Sequence, residues 1–458
     1  MERRSLKFLL IHPEISRTRY NFVGVIENEC LELEYISAVL KEKGHEVYIY
    51  DGQLETATVP MALNKYDPDV VYVCGRTRQE NFMLEYCRDA KDHSADTLTI
   101  IGGLHAQLCY ERMYRDYVDY ILTTFNVYKI LDIIDIAFFG KELLRTKMDG
   151  ICYRDGSKWR SNPSAAFDIN DLPLPDRTYF YEHPNNYRYL ELEHAAWVRT
   201  AYSCPYRCEF CVRNRMNAGV YVQRDIERVV DEIAQIKSYN IYIVDDDFLV
   251  DEKRVKRFIE LLKRRNIRKN YICYGRADFI ATHEQLMKEF KEVGLYYVLV
   301  GLESFDDNHL NSYEKHSSAF NNIKSVGICN RLGINLMGLF IVDLDYTKRD
   351  FMRLFKWIIR KKLKHVAISI YTPEMGLENF ARYKDRMITD NPSHFDYLHL
   401  VARPTHLSVK RYYFYYYILL ISLFLRAKRE GVYDFIDYGD YIRSFIANMF
   451  KKRKNDDE

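Results

Sequence analysis

Residues 200–213 read Thr-Ala-Tyr-Ser-Cys-Pro-Tyr-Arg-Cys-Glu-Phe-Cys-Val-Arg, which places Cys204, Cys208 and Cys211 in a CxxxCxxC spacing. Cysteine thiolates hold the irons of iron–sulfur clusters, and a [4Fe-4S] cluster that only transfers electrons normally takes four of them. Three thiolates in one short window leave the fourth iron open to a small molecule. The window therefore predicts a [4Fe-4S] cluster at which a bound molecule is the object of the chemistry.

Two other interpretations of the three cysteines stay open at this point. A structural zinc site usually pairs CxxC with a second CxxC or with a His-x₃₋₅-His motif. Downstream, Cys273 and Cys329 are isolated, and His194 lies ten residues before Cys204, which is not a zinc-finger spacing. The third interpretation is three unrelated buried cysteines. The spacing favours the cluster over both.

The other seven cysteines are scattered along the chain without disulfide-like spacing. Free cysteines of this kind behave as small buried hydrophobic residues. Reduced thiols and an oxygen-sensitive cluster predict a reducing compartment, hence a cytoplasmic protein. These cysteines are Cys30, Cys74, Cys87, Cys109, Cys152, Cys273 and Cys329.

Composition describes an ordinary globular chain of two or three domains, with 48% hydrophobic and 29% charged residues in 458. The net charge of +2 gives no global field that attracts nucleic acid, so no nucleic-acid partner is expected. The apolar run Tyr412–Leu425 is shorter than the roughly 20 residues that span a bilayer. It predicts either a buried C-terminal helix or a helix lying in a membrane interface.

Residues 1–135 alternate between apolar strand patterns and helical patterns, which predicts a doubly wound parallel α/β sheet. Ligands of such sheets bind beyond the carboxyl ends of the strands. Gly102, Gly103 and Leu104 follow one predicted strand, and paired glycines let a flat ligand lie against bare backbone. We therefore expect a ligand at this end of the sheet.

Residues 136–190 are predicted to be a linker, with a small hairpin around Asp155-Gly156 and a proline-rich stretch at 169–177. From residue 191 a second alternating series begins. Its six βα units, ending near residue 395, predict a partial parallel barrel with polar residues at the strand ends. Residues 396–458 are predicted to form a helical C-terminal region.

The cysteine window and the second series together resemble the radical S-adenosylmethionine (radical SAM) enzymes. Block 1–135 is similar to the cobalamin-binding domain that precedes many such cores, through Ile11-His12-Pro13, Asp51-Gly52 and Gly102-Gly103. The chain departs from that pattern in lacking Asp-x-His-x-x-Gly, and Thr123–Asn126 stands where a Gly-Glu-x-Glu turn is common. The resemblance implies cobalamin at Gly102, Gly103 and Leu104, without a histidine as lower axial ligand.

The same resemblance implies contacts to S-adenosylmethionine (SAM). Asp246 is expected at the methionine amine, with neighbouring acids as helix caps. Arg276 is expected either at the methionine carboxylate or as the partner of Asp278 or Asp246. The expected contact residues are Phe210, Asp246, Arg276, Glu303, Ser304 and Gly338.

The function implied by the resemblance is a cobalamin-dependent enzyme that generates a 5′-deoxyadenosyl radical from SAM and methylates an unactivated carbon of a small molecule. The expected electron donor is a flavodoxin or a ferredoxin. The aromatic run near the C-terminus adds a lipid-like substrate and membrane-surface association as hypotheses. The alternatives are a ring-forming, oxidative or rearranging radical reaction and, among non-enzymes, a zinc-stabilised binding module. Because cofactors carry such chemistry, no acid–base triad of protein side chains is predicted.

Overall fold

The structure is a computed structural model that describes residues 4–15, 26–141 and 145–436. Within these ranges, the strands form two large sheets, and each is built largely from alternating strands and helices. This confirms the predicted α/β class with two successive α/β units.

The first sheet contains five parallel strands in the order β2-β1-β3-β4-β5. Its inner strands are nearly continuous apolar runs, as expected of a parallel sheet that is covered on both faces. The strands are β1 (Lys7–His12), β2 (Glu46–Asp51), β3 (Val70–Cys74), β4 (Leu98–Gly102) and β5 (Tyr120–Leu122).

Five helices accompany this sheet in the described part of the chain. The first and the last share one apolar cluster, and the second and third share another, so both faces of the sheet are covered. The helices are α1 (Leu31–Glu42), α2 (Val59–Tyr66), α3 (Glu80–His93), α4 (Leu104–Cys109) and α5 (Lys129–Phe139).

The predicted hairpin is present and forms part of the first sheet. Strand β6 (Ile151–Asp155) pairs antiparallel with β5, and β7 (Lys158–Ser161) pairs with β6. The sheet thus reaches seven strands among the described residues. The first part of the predicted 136–190 linker therefore belongs to the N-terminal sheet, and helix α6 (Thr178–Glu182) follows it.

The second sheet has six parallel strands in sequence order among the described residues, with β8 and β15 unpaired with each other at its edges. This confirms the predicted partial barrel. Its strands are β8 (Ala195–Val198), β11 (Asn240–Ile243), β12 (Asn270–Gly275), β13 (Leu295–Glu303), β14 (Asn335–Val342) and β15 (His365–Ile370). A short antiparallel pair, β9 (Ala201–Tyr202) and β10 (Val222–Gln223), flanks the cysteine window.

Helices follow the barrel strands and bury one apolar face each, as the βα pattern requires. The first two begin at aspartate N-caps, Asp225 and Asp251, whose carboxylates accept backbone N–H bonds. The helices are α7 (Ile226–Gln235), α8 (Glu252–Arg264), α9 (Ala277–Thr282), α10 (Glu284–Glu292), α11 (Asp307–Ser312), α12 (Ala319–Leu332) and α13 (Lys348–Arg360).

The Tyr-rich run forms helix α14 (Val409–Arg429), which packs on the outside of the last two barrel strands. Tyr412 donates a hydrogen bond to the carbonyl of Val342 at 2.9 Å, and Tyr416 donates to that of Ile368 at 2.9 Å. No helix in the described ranges combines the length and apolarity that a membrane span needs. The sequence Lys-Lys-Arg-Lys at residues 451–454, a charged run that favours a solvated tail, lies outside the described residues.

One buried arginine joins the two α/β units. Arg177 forms ion pairs with Glu29 from the N-terminal unit and with Glu232 on α7. Its guanidinium also donates to the carbonyl of Trp197 on β8 at 2.6 Å. All three ionic side chains are at most 6% exposed. The proline-rich segment that carries Arg177 thus anchors the barrel to the N-terminal sheet.

Candidate active site

The cysteine loop lies across the carboxyl ends of the barrel strands. It begins after β9 and is held to the residues that follow α11 and β15. The backbone N–H of Glu209 donates to the carbonyl of Tyr313 at 3.0 Å, and the Tyr371 hydroxyl donates to the Glu209 carboxylate at 2.9 Å. The thiols are therefore placed at the mouth of the barrel, where a barrel of this type carries its chemistry.

The three thiols share one short loop at the mouth of the barrel. Cysteine thiolates hold the irons of iron–sulfur clusters, and three of them leave one iron of a [4Fe-4S] cluster for another ligand.

Burial also changes the protonation of these thiols. It raises the pKa of Cys204 and of Cys211 to about 12, and it raises the pKa of Cys208. The three sulfur atoms are therefore protonated at neutral pH when no cation neutralises them. Bound iron supplies that positive charge, so metal loading at this site releases protons.

Phe210 forms one side of an aromatic wall beside the cysteine loop. Its ring meets that of Tyr313 edge to face, with centroids 5.4 Å apart. Tyr313 in turn stacks on Tyr371, with centroids 6.0 Å apart. These three rings form an aromatic surface against which a planar group could lie. The expected contact of Phe210 with an adenine stays a prediction.

The three aspartates after β11 have three different environments. Asp245 accepts hydrogen bonds from the backbone N–H groups of Thr200 and Ala201, at 2.7 and 2.8 Å, and so fixes the start of the cysteine loop. Asp246 forms an ion pair with Arg213 at 3.2 Å. The structure thus assigns structural partners to two of the three acids.

Asp247 is the acid with an unused oxygen. Its Oδ1 accepts the backbone N–H of Leu249 at 3.0 Å, whereas its Oδ2 is buried without a hydrogen-bond partner among the described residues. Burial raises the pKa of Asp247 to about 7, although Arg276 and Lys315 act in the opposite direction. A buried carboxylate without a donor is unfavourable, and a cationic ligand such as the SAM ammonium group relieves that cost.

Arg276 forms a two-pronged ion pair with Asp278, with nitrogen–oxygen distances of 3.0 and 2.9 Å. It also donates to the carbonyl of Lys315 at 2.7 Å, and its guanidinium lies 3.9 Å from the ring centre of Tyr206. Of the partners that the sequence left open, the structure thus shows Asp278. A contact between Arg276 and the methionine carboxylate stays a prediction.

Glu303 is the last residue of β13, Ser304 follows it, and both are buried. The Glu303 carboxylate pairs with Lys315 at 2.9 Å, and Glu303 has a left-handed backbone with φ of 54°. The Ser304 hydroxyl accepts the backbone N–H of Asp306 at 3.1 Å. Glu303 therefore presents a neutralised carboxylate at the strand end, while Ser304 stabilises the turn that follows.

Gly338 lies within β14, where a side chain has no room. A Cβ at this position would lie 2.6 Å from the side chain of Leu363 and 2.9 Å from that of Leu302. The structure thus explains the glycine by core packing. Its expected role behind an adenine stays a prediction.

The glycine pair at the end of β4 is explained by contacts inside the protein. A Cβ on Gly102 would lie 1.9 Å from the Tyr72 hydroxyl, and one on Gly103 would lie 2.8 Å from the backbone nitrogen of Gly75. Gly103 also has φ of +90°, which only glycine adopts easily. Leu104, which follows, lines a cavity.

That cavity lies between the two strand-end faces, with Cys74 and Arg76 on the first and Trp197 and Arg199 on the second. Arg213, which follows the cysteine window, and Tyr202, on β9, form part of its wall, so it adjoins the cluster site. Arg76 faces it from the loop after β3. Burial lowers the pKa of Arg76 to about 10, with Arg213 and Arg78 contributing in the same direction.

The donor set of this cavity fits cobalamin. Arg76 and Arg78 line the cavity, and amide and phosphate oxygens of a corrinoid are suitable acceptors for their guanidinium groups. Sequence reasoning missed both arginines and Arg213. For Arg76 and Arg78 the signal was the strand-end rule, because Gly75-Arg-Thr-Arg78 directly follows the fully buried strand β3.

Comparison with known families locates two domains. Residues 27–125 match the model of the B12 binding domain, and residues 198–358 match that of the Radical SAM superfamily. The chain therefore carries a B12-binding domain followed by a radical SAM domain. The cofactors of this combination are a [4Fe-4S] cluster, SAM and cobalamin.

Two curated relatives extend over most of the chain. A hopanoid C-3 methylase of Methylococcus capsulatus is 25% identical, with 89% of this chain and 78% of the relative covered. An uncharacterized methyltransferase of Pyrococcus horikoshii is 23% identical, with 97% and 98% covered.

A solved structure shares the fold. The cobalamin-dependent SAM radical enzyme OxsB, with aqua-cobalamin and SAM bound, matches with a TM-score of 0.65 at 19% identity. The match covers 82% of this chain and 55% of OxsB, so this chain corresponds to about half of that enzyme.

Proposed function

Because it joins a B12-binding domain to a radical SAM domain, this chain belongs to the cobalamin-binding radical SAM enzymes, and we propose that it methylates an unactivated carbon of a small molecule. The observation that supports this proposal is the cavity between the two domains. It is bordered by Leu104 on one side and by Tyr202 and Arg213 beside the cysteine loop on the other. A substrate there lies between the two cofactor sites.

When bound, the cofactors supply an electron, a carbon-centred radical and a transferable methyl group. The protein residues position these groups and keep water away. Cys204, Cys208 and Cys211 hold the cluster, and Phe210 supplies an aromatic surface. Arg76 and Leu104 line the corrinoid side of the cavity. In this proposal, Asp247 binds the ammonium group of SAM.

Replacing Asp247 with asparagine should weaken SAM binding and remove its dependence on pH. With a pKa of about 7, the ionised fraction of Asp247 rises roughly tenfold between pH 6 and pH 8. The SAM affinity of the native enzyme should rise by a similar factor over that range. Equilibrium binding of SAM to the anaerobic iron-loaded protein measures both effects.

Asp246→Asn is the matched comparison, because that acid already has Arg213 as its partner. If Asp247 binds the amine, Asp246→Asn keeps the pH dependence. If only Asp246→Asn weakens SAM binding, the original expectation for Asp246 is right and the role proposed for Asp247 is wrong.

Product analysis tests the methylation itself. The anaerobic holoenzyme is given SAM, a reductant and candidate substrates, and the products are separated by mass spectrometry. Methylation gives 5′-deoxyadenosine, S-adenosylhomocysteine and a substrate heavier by one methylene. 5′-Deoxyadenosine with an altered but unmethylated substrate would instead support a ring-forming, oxidative or rearranging reaction. A pure protein that contains zinc without iron would support a binding module.

We further propose that α14 rests on a lipid surface and that the substrate is lipid-like. The helix presents Phe414, Ile418, Ile421 and Leu425 to solvent, each 46 to 60% exposed. Their spacing places them on the side opposite the buried tyrosines. Lys410 and Arg411 begin the helix and Lys428 and Arg429 end it. An apolar face with basic ends complements an anionic lipid surface.

Vesicle co-sedimentation tests this surface. Replacing Ile418 and Ile421 by serine should reduce binding to anionic vesicles by roughly tenfold or more, because each buried apolar side chain contributes about 1.5–3 kcal/mol. Neutral vesicles should bind the native protein more weakly, because each basic side chain near an anionic surface adds about 1 kcal/mol. Phe320→Ser is the control, because the Phe320 side chain is 69% exposed but lies on helix α12 and not on α14. Equal sedimentation of all variants would contradict the proposal.

Electron supply and location complete the proposal. All ten cysteines are unpaired thiols, which supports a reducing, cytoplasmic setting. A reduced flavodoxin or ferredoxin is proposed as the electron donor. Its addition in place of a chemical reductant should support 5′-deoxyadenosine formation.

A further inference from the structure

Three chemically different side chains converge on the cavity wall away from the cysteine loop. His12 is the last residue of β1 and Asp51 the last of β2, and the parallel register places them side by side. Cys30 immediately precedes α1. All three lie at the carboxyl end of the first sheet, and His12 and Cys30 line the cavity.

The three side chains form a triangle whose Asp51 corner is the whole carboxylate, with both of its oxygens in contact. His12 Nδ1 lies 3.2 Å from Asp51 Oδ1 and 3.2 Å from Cys30 Sγ, and Cys30 Sγ lies 3.1 Å from Asp51 Oδ2. Ligands of a tetrahedral zinc ion are about 3.3–3.8 Å apart, given metal–ligand distances of about 2.0–2.3 Å. A shift of a few tenths of an ångström therefore opens the triangle to that size.

Hydrogen bonding alone does not use this arrangement well. The Nδ1 atom of His12 also lies 3.1 Å from the side-chain nitrogen of Gln53, so three groups compete for it. A ring nitrogen carries either one proton or one lone pair in the ring plane. Cys30 can donate to Asp51 Oδ2, but the ring nitrogen cannot both donate to Asp51 and accept from Gln53. A cation between the three side chains uses their lone pairs at the same time.

The carboxylate of Asp51 is held in place from outside the triangle. The backbone N–H of Gln53 donates to Oδ1 at 3.0 Å, and the buried Tyr187 hydroxyl donates to Oδ2 at 3.1 Å. Outer hydrogen bonds of this kind orient the ligands of metal sites. Asp51 is fully buried, whereas the His12 side chain is 19% exposed toward the cavity.

We propose that His12, Cys30 and Asp51 bind a zinc ion whose fourth position opens into the cavity. One nitrogen, one sulfur and one oxygen donor form a set that suits zinc, and three protein ligands leave one position for water or another small ligand. The ion joins the ends of β1 and β2 to the start of α1, at the place where Tyr187 docks. This site is separate from the three cysteines of the cluster.

Elemental analysis of the reconstituted holoenzyme tests the proposal. The cluster is first loaded anaerobically with iron and sulfide, which occupies Cys204, Cys208 and Cys211. One equivalent of zinc is then added and unbound metal is removed. The native chain should retain close to one zinc beside the four irons of its cluster. Cys30→Ser should lower the zinc affinity at least about tenfold and leave the iron content unchanged.

Cys74→Ser is the matched control, because Cys74 is buried and lines the same cavity but lies outside the triangle. It should keep both metals. If fully iron-loaded native protein retained no zinc, the proposal would be wrong. The three side chains would then form a hydrogen-bonded cluster without a metal ion. Equal zinc in Cys30→Ser and the native chain would overturn it too, since the ion would then lie elsewhere.

Cobalt substitution tests the site in the native enzyme. Its outcome therefore does not depend on whether the Cys30→Ser variant folds. Cobalt(II) added to the iron-loaded native enzyme should give a sulfur-to-cobalt charge-transfer band that saturates at one equivalent. Competing zinc should remove that band. Cobalt bound without thiolate absorption would contradict a site that contains Cys30.

Discussion

Replacing Cys208 with alanine should reduce SAM cleavage to the level of an enzyme-free mixture. Cys208 is the middle thiol of the loop and faces the Arg276 and Lys315 side of the barrel mouth. With two thiolates left, the cluster loses a corner and the open iron has no defined place. Quantifying iron, sulfide and 5′-deoxyadenosine after anaerobic reduction measures the effect.

Cys109→Ala is the control, because Cys109 is a partly exposed thiol outside the cysteine loop. It should keep native iron content and native SAM cleavage. If the Cys208→Ala protein still cleaved SAM reductively at the native rate, the assignment of the cluster to this loop would be wrong.

Replacing Arg177 with leucine should destabilise the fold by about 3–5 kcal/mol, because it leaves buried carboxylates without their cation. Glu29 and Glu232 are at most 3% exposed in their pairs with Arg177. Burial alone would lower the pKa of Arg177, but these acids and Glu34 raise it above its ordinary value. Anaerobic urea denaturation of native and variant protein gives the change in unfolding midpoint.

The exposed pair of Arg160 with Asp155 provides the comparison. Both side chains are more than half exposed, so Arg160→Ala should change stability by at most about 1 kcal/mol. A similar small change for Arg177→Leu would contradict the view that this arginine holds the two α/β units together.

Much of the fold could be predicted because its strands are short apolar runs that end in polar residues. Two such runs, Val70–Cys74 and Tyr120–Leu122, are strands β3 and β5 of the structure. Helix α5 was missed because its sequence, KILDIIDIAFF, is apolar on nearly every side and has no clear helical period. The position of the hairpin was also missed, because β6 pairs with β5 across a stretch of 28 residues that local patterns do not connect.

The candidate site could be predicted only in outline. The cysteine spacing is local, whereas the roles of Asp245, Asp246 and Asp247 depend on partners from other elements. Arg213 neutralises Asp246, and nothing in a run of three aspartates identifies which one keeps a free oxygen. The triangle of His12, Cys30 and Asp51 likewise needs the β1–β2 register, which no short motif encodes.

Electron paramagnetic resonance of the reduced cluster tests the central claim most directly. Three thiolates from this loop leave one iron for SAM, so adding SAM to the dithionite-reduced native protein should change the g values of its [4Fe-4S] signal. Omitting SAM or adding S-adenosylhomocysteine serves as the reference. A cluster signal that SAM leaves unchanged at saturating concentration would contradict an open iron and, with it, the radical chemistry proposed for this enzyme.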